Sequence, residues 1–168
     1  MTVTALDATV AGVDANSYVT LAVADQYFED RPSSADWVAS TDTAKTQCLL
    51  AACRDISKLN YAGVMYDETT PQNLPFPRST DLDVDGDVLL FDAVKEAQME
   101  QAFYLCVMSL SEVQDIAKRG VESHSIGDVS VKYNGGAMAA ATGNFGLCMT
   151  AMGLLRGWIS TRIEVRRG

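Results

Sequence analysis

Few residues of this chain could do chemistry: four cysteines (Cys48, Cys53, Cys106, Cys148), one histidine (His124) and a run of aspartates between 81 and 87. Thiolates and imidazoles bind zinc when closely spaced ligands converge. Here no CxxC pair occurs. Cys48 and Cys53 are five residues apart, about 140° around a helix. With one histidine in the chain, a zinc site is not expected, and the cysteines read as small apolar residues of a reducing compartment. His124 reads as a hydrogen-bonded surface residue, since the sequence suggests no partner near it. The run Asp81, Asp83, Asp85, Gly86, Asp87 begins like a calcium loop. The twelfth position, which in such a loop is a bidentate glutamate, is Asp92 at a helix start, so a solvated acidic loop is expected instead. No GxSxG, HExxH or P-loop motif occurs. The expectation is a protein with no catalytic, cofactor or metal site.

Charge says more. The net charge of −9 argues against gripping nucleic acid over the general surface, because phosphate binding needs a positive footprint. The charge is uneven, however. The last fifteen residues carry Arg156, Arg162, Arg166 and Arg167 against Glu164 alone, which leaves −12 on the rest. An acidic body with a basic end is the asymmetry of an interaction tail. Trp158 lies among these arginines, and aromatic residues interleaved with cations suit single-stranded nucleic acid.

The elements that must position these residues are mostly helical. At 168 residues the chain makes one domain, long enough to bury about 70% of its unfolded surface. No basic stretch followed by an apolar run opens it, and its longest apolar stretch is broken by Gly146, Gly153, Arg156 and Gly157, so neither a secretory signal nor a membrane span is expected. Residues 1–16 read as an arm with room for a short extended segment, of a kind that can stay disordered until a neighbour supplies a surface. A first helix is expected over about Thr20–Asp30, with Leu21, Ala24, Tyr27 and Phe28 as its stripe and Pro32 as its stop. A short turn holding Trp37 follows, then a helix from about Asp42 to Leu59 capped by Thr41. Residues 60–90, with Pro71, Pro75 and Pro77, form a long loop in which Leu74 and Phe76 could plug the core. A helix from Asp92 to about Lys118 has Val94, Ala97, Gln98, Gln101, Leu105, Met108 and Val113 on one stripe, and Gly120 ends it. Residues 121–133 alternate as a hairpin around Gly127-Asp128, with Val129, Val131 and Tyr133 on one face. Residues 134–144 are a small-residue linker. A last helix, about Phe145–Thr161, has Leu154, Leu155, Trp158 and Ile159 on an apolar face. That face either packs on the chain's own bundle or docks onto a partner.

Taken in order, Ser17-Tyr18-Val19 with Ala24-Asp25 and Tyr27-Phe28, Trp37, the Leu49–Leu59 helix, Phe76-Pro77-Arg78, Val94-Lys95-Glu96-Ala97, the hairpin to Tyr133 and Leu154-Leu155 resemble the head-tail connector (adaptor) proteins of tailed phages. Relatives of this kind are sometimes labelled DnaT-like single-stranded-DNA-binding proteins, a label that fits the acidic composition poorly. The resemblance implies a mainly α fold, a helical bundle (17–133) with a small β-hairpin and a C-terminal docking helix and basic tail (145–168). It implies a virion protein of the phage neck, present in the host cytoplasm before assembly. It would form a ring, a dodecamer, under the portal. Leu154, Leu155, Trp158, Ile159, Arg162, Arg166 and Arg167 would dock on the portal protein. Val129, Val131, Tyr133 and Phe76 would meet neighbouring subunits or a stopper or tail-completion protein. Double-stranded DNA would slide through an acidic lumen without sequence-specific binding. The competing expectation is a single-stranded-DNA-binding replication module, for which the C-terminal tail, with Trp158 and its four arginines, is the available surface.

Overall fold

The computed structural model describes residues 3–66, 70–107, 123–126, 129–132 and 147–160. The chain is mainly helical. α1 (Leu21–Glu29) starts where Thr20 accepts a hydrogen bond from the Val23 amide, and it buries Ala24 and Phe28. α2 (Ala35–Ala39) is one short turn that places Trp37 on Phe28, ring centroids 4.5 Å apart. Trp37 stays in the core because its indole N–H donates to Asp25 at 2.8 Å, a carboxylate that Lys45 also reaches at 2.9 Å. α3 (Asp42–Ser57) is capped by Thr41, whose hydroxyl accepts from the Ala44 amide. α4 (Asp92–Val107) buries Val94, Ala97, Met99, Ala102 and Leu105. Residues 108–118, where this helix was expected to continue, lie outside the described residues.

α3 and α4 run antiparallel and build two apolar clusters. At one end Leu49 and Ala52 meet Met99, Ala102 and Leu105 together with Phe28 and Trp37. At the other, Cys53, Ile56 and Leu59 meet Val94 and Ala97 together with Tyr18, Leu74 and Phe76. Each fully buried large side chain contributes about 1.5–3 kcal/mol. Gln98 sits between the clusters without any exposed surface. Its amide accepts from the Tyr18 amide at 2.7 Å and donates to Ser17 Oγ at 2.8 Å and to the Leu49 carbonyl at 2.9 Å.

Residues 3–16 depart from the expected free arm by lying on their own chain. Asn16 takes a hydrogen bond from the Asp7 amide and gives one to the Ala5 carbonyl. The Asn73 side chain donates to the Ala15 carbonyl, and its backbone amide donates to that of Gly12. These two asparagines satisfy backbone groups that a strand partner would otherwise serve, so the segment needs no neighbour.

The described parts of the 60–90 loop are likewise held by internal hydrogen bonds. Buried Arg78 sends its guanidinium to the carbonyls of Ala62, Gly63 and Pro75, and its amide donates to Asp81. The Phe76-Pro77 peptide is cis. Ser123–Ile126 (β1) and Val129–Lys132 (β2) pair antiparallel, Ser123 opposite Lys132; the turn between them lies outside the described residues. α5 (Met149–Leu155) is shorter than the expected 145–161 helix. Cys148 is extended and caps it, and past Leu155 the chain leaves the helix to pair with residue 61.

Candidate functional site

The segment that carries the tail, residues 147–160, lies across the bundle. Its start is pinned by Gln101 of α4, whose amide oxygen accepts from the Cys148 amide at 2.8 Å while its NH2 donates to Asp55 of α3 at 3.3 Å. Ala151 and Leu155 then sink into the core beside Val94 and Ala97. After Leu155, Trp158 turns back onto the aromatic residues of the loop. Its ring lies 5.8 Å from Phe76, edge to face, and 5.7 Å from Phe91. Its indole N–H points at Asp81, 3.4 Å away.

The last described residues form a short antiparallel pairing with the chain just beyond α3. Ile159 lies opposite Tyr61, the Ala62 amide donates to the Trp158 carbonyl at 2.8 Å, and the Ser160 amide donates to the Asn60 carbonyl at 2.9 Å. Tyr61 is itself anchored, its hydroxyl donating to the Ile56 carbonyl and its ring packing 4.6 Å from Phe76. Burial raises the Tyr61 phenol well above its ordinary range, so it is neutral and a donor at any physiological pH.

Most of the described cations of the body are already engaged. Arg31 pairs with Glu100 at 3.0 Å, Lys45 with Asp25 at 2.9 Å, Lys58 with Asp55 at 2.8 Å and Lys95 with Asp92 at 3.0 Å. Arg78 is buried among carbonyls. Arg54 on α3 and Arg156 at the end of α5 are exposed and have no ion pair among the described residues.

The acidic loop turns inward on itself. The Asp83 carboxylate accepts from the amides of Asp85 and Asp87, both at 2.9 Å, and Asp81 is buried against Arg78 and Trp158. Among the described residues no group of three or more acidic, cysteine or histidine side chains converges on a point. Cys53 is buried and its thiol is pushed up to about 12 by desolvation. Cys48 and Cys106 sit side by side across α3 and α4. The hydrogen bond they share draws the Cys48 thiol below its ordinary pKa and pushes that of Cys106 above it.

Of the residues assigned to docking, Leu155 is wholly inside the core, and Leu154, Trp158 and Ile159 are half-buried against it. Phe76 is 2% exposed, enclosed by Tyr18, Tyr61 and Trp158, which leaves it no surface for a neighbouring subunit. Val129 and Val131 are in β2, with side chains outside the described set, and Tyr133, Arg162, Arg166 and Arg167 also lie outside it. The structure thus brings Trp158, Phe76 and Ile159 together as one packed unit. Sequence reasoning did not foresee the polar contacts that hold these segments: Gln101 on Cys148, Arg78 on the loop carbonyls, and Gln98, Asn16 and Asn73 on the N-terminal residues. Two glutamines three residues apart within the apolar stripe of α4 were the signal that could have pointed to Gln98 and Gln101.

A family model described as "Putative DnaT-like ssDNA binding protein" matches residues 3–168. No curated protein and no solved structure matches the chain. The family match overturns the expected head-tail connector of the virion neck. With that connector go its partners: the portal protein, the stopper or tail-completion protein, the dodecameric ring and double-stranded DNA in its lumen. The physical reason is that the motifs carrying that resemblance are packing residues. Phe28, Trp37, Phe76 and Leu155 all face the chain's own core, and a core does not say what its surface meets.

Proposed function

The chain belongs to the DnaT-like single-stranded-DNA-binding protein family, and from that premise we propose that it binds single-stranded DNA through its C-terminal segment. The observation that carries this reading is the distribution of positive charge along the sequence. The described lysines and arginines of the body mostly face internal partners, whereas Arg156, Arg162, Arg166 and Arg167 follow one another at the chain's end. Phosphate contacts need cations that are not already neutralised. The acidic body repels much of the rest of the strand, so contact centres on this segment and is sensitive to salt.

In this proposal the protein acts by binding rather than by catalysis. Residues 17–133, with the 121–133 hairpin, make the body, 134–144 the tether, and 145–168 the segment that meets DNA. Trp158 is half-buried against Phe76 and Phe91 and lies between Arg156 and Arg162 in the sequence, and its uncovered surface is what a base would meet. Bases stack on such aromatic residues without regard to sequence, so a sequence-tolerant mode is expected.

The test is fluorescence anisotropy with a labelled oligothymidylate and a matching duplex, at low and moderate salt. Binding to the single strand that weakens with salt and is lost in the Arg162→Ala/Arg166→Ala/Arg167→Ala variant is the expected result. No detectable binding at low salt rules the proposal out.

A further inference from the structure

We infer that a bound single strand contacts the outer face of α3 through Arg54 and Lys58 and runs along the C-terminal half of that helix. This rests on the single-stranded-DNA reading above and adds two residues to its site.

Residues 159 and 160 lie beside the chain just past α3. The pairing of Ile159 with Tyr61, and of the Ser160 amide with Asn60, is antiparallel. Ser160, the last described residue, therefore lies just past the C-terminus of α3. Asn60 is two residues past Lys58, the C-cap of that helix. Arg54 and Lys58 stand one turn apart on α3 and both are exposed, so they share a face. Their separation along the axis is about 6 Å, comparable with the step between successive phosphates of an extended strand.

The face is also the right one electrostatically. Arg54 has no ion pair among the described residues. Lys58 is paired with Asp55, but the lysine side chain is 57% exposed, and an exposed pair of this kind holds its lysine weakly. Were Lys58 to swing to a phosphate, Asp55 would keep the hydrogen bond from Gln101 and would not be orphaned. The comparable cation at the start of α4, Lys95, lies instead next to Asp92 and Glu96 and follows the aspartates of the 81–87 loop, where a phosphate is repelled.

The experiment compares the full chain with two variants, Arg54→Ala/Lys58→Ala and Arg162→Ala/Arg166→Ala/Arg167→Ala. The slope of log affinity against log salt is read for a labelled oligothymidylate. Each phosphate contact on a single strand contributes about 0.7 to the slope, so the α3 variant should be shallower by about 1.4. That corresponds to about a sevenfold smaller loss of affinity over a fourfold rise in salt. Charge-preserving Arg54→Lys/Lys58→Arg should restore the slope, which a merely structural role for the two side chains would not predict. A circular-dichroism melt of each variant accompanies the titration. If the α3 variant keeps the full slope while the tail variant loses its own, the extension onto α3 is overturned and the tail reading stands. If the unaltered chain does not bind, both fall.

Discussion

Replacing Gln98 by glutamate should make the stability of this protein pH-dependent, with a sign that follows from the hydrogen bonds around the amide. Gln98 has no exposed surface, and its NH2 donates to two oxygens, Ser17 Oγ and the Leu49 carbonyl. Ser17 already gives its hydroxyl proton to the Val19 carbonyl at 2.6 Å. In the Gln98→Glu variant, an ionised carboxylate would therefore set acceptor against acceptor in a dry site. The introduced carboxyl is expected to hold its proton, and its folded-state pKa rises above the ordinary glutamate value of about 4.3. The folded state then binds more protons than the unfolded one, so stability is retained below about pH 4.3 and lost as pH rises through the folded pKa. Fully buried carboxyls shift by up to about 3–5 units, and three units correspond to about 4 kcal/mol. For a chain of this size that is roughly 8–16 °C in melting temperature. The assay is a thermal melt by circular dichroism at acid, neutral and mildly alkaline pH for the wild type, Gln98→Glu and Gln98→Leu. The leucine variant cannot titrate, and it should show a constant penalty of about 1–3 kcal/mol for the unpaired Tyr18 amide. A Gln98→Glu melting profile parallel to the wild type across this range would refute the assigned hydrogen bonds.

Three further outcomes are expected. Phe76→Ala should cost about 3–5 kcal/mol in chemical denaturation, and it should shift Trp158 emission to the red because that ring loses its edge-to-face neighbour. Thr41→Ala should cost about 1 kcal/mol through loss of the α3 cap, with Thr41→Ser close to wild type in the same denaturation assay. In alkylation timed by mass spectrometry near pH 8, Cys48 should react before Cys53. The Cys106 thiol stabilises the Cys48 thiolate, whereas burial holds Cys53 at about 12. Faster labelling of Cys53 than of Cys48 would contradict the packing of α3 on α4.

What the sequence by itself determined is local. Thr41 caps the helix it was expected to cap, and Trp37 sits in the short turn where it was placed. Capping and apolar periodicity act within a few residues, so they are visible in one dimension. The charge asymmetry that marks residues 156–167 is also readable there, because it needs no coordinates. What only the tertiary structure decided depends on partners far apart in the chain. Gln98 was placed on the buried stripe of its helix, but its partners Ser17 and Leu49, 81 and 49 residues away, could not be read there. Residues 3–16 looked like a free arm because nothing local reveals that Asn73 will satisfy their carbonyls. Phe76 and the 147–160 segment could have faced a partner or the core, and apolar side chains read the same in either case. Packing decided it, by enclosing Phe76 among Tyr18, Tyr61 and Trp158 and by tying up most of the body's described cations in ion pairs. Burial and neutralisation are properties of neighbours in space, and for that reason the interacting surface emerges only after the fold has used what it needs.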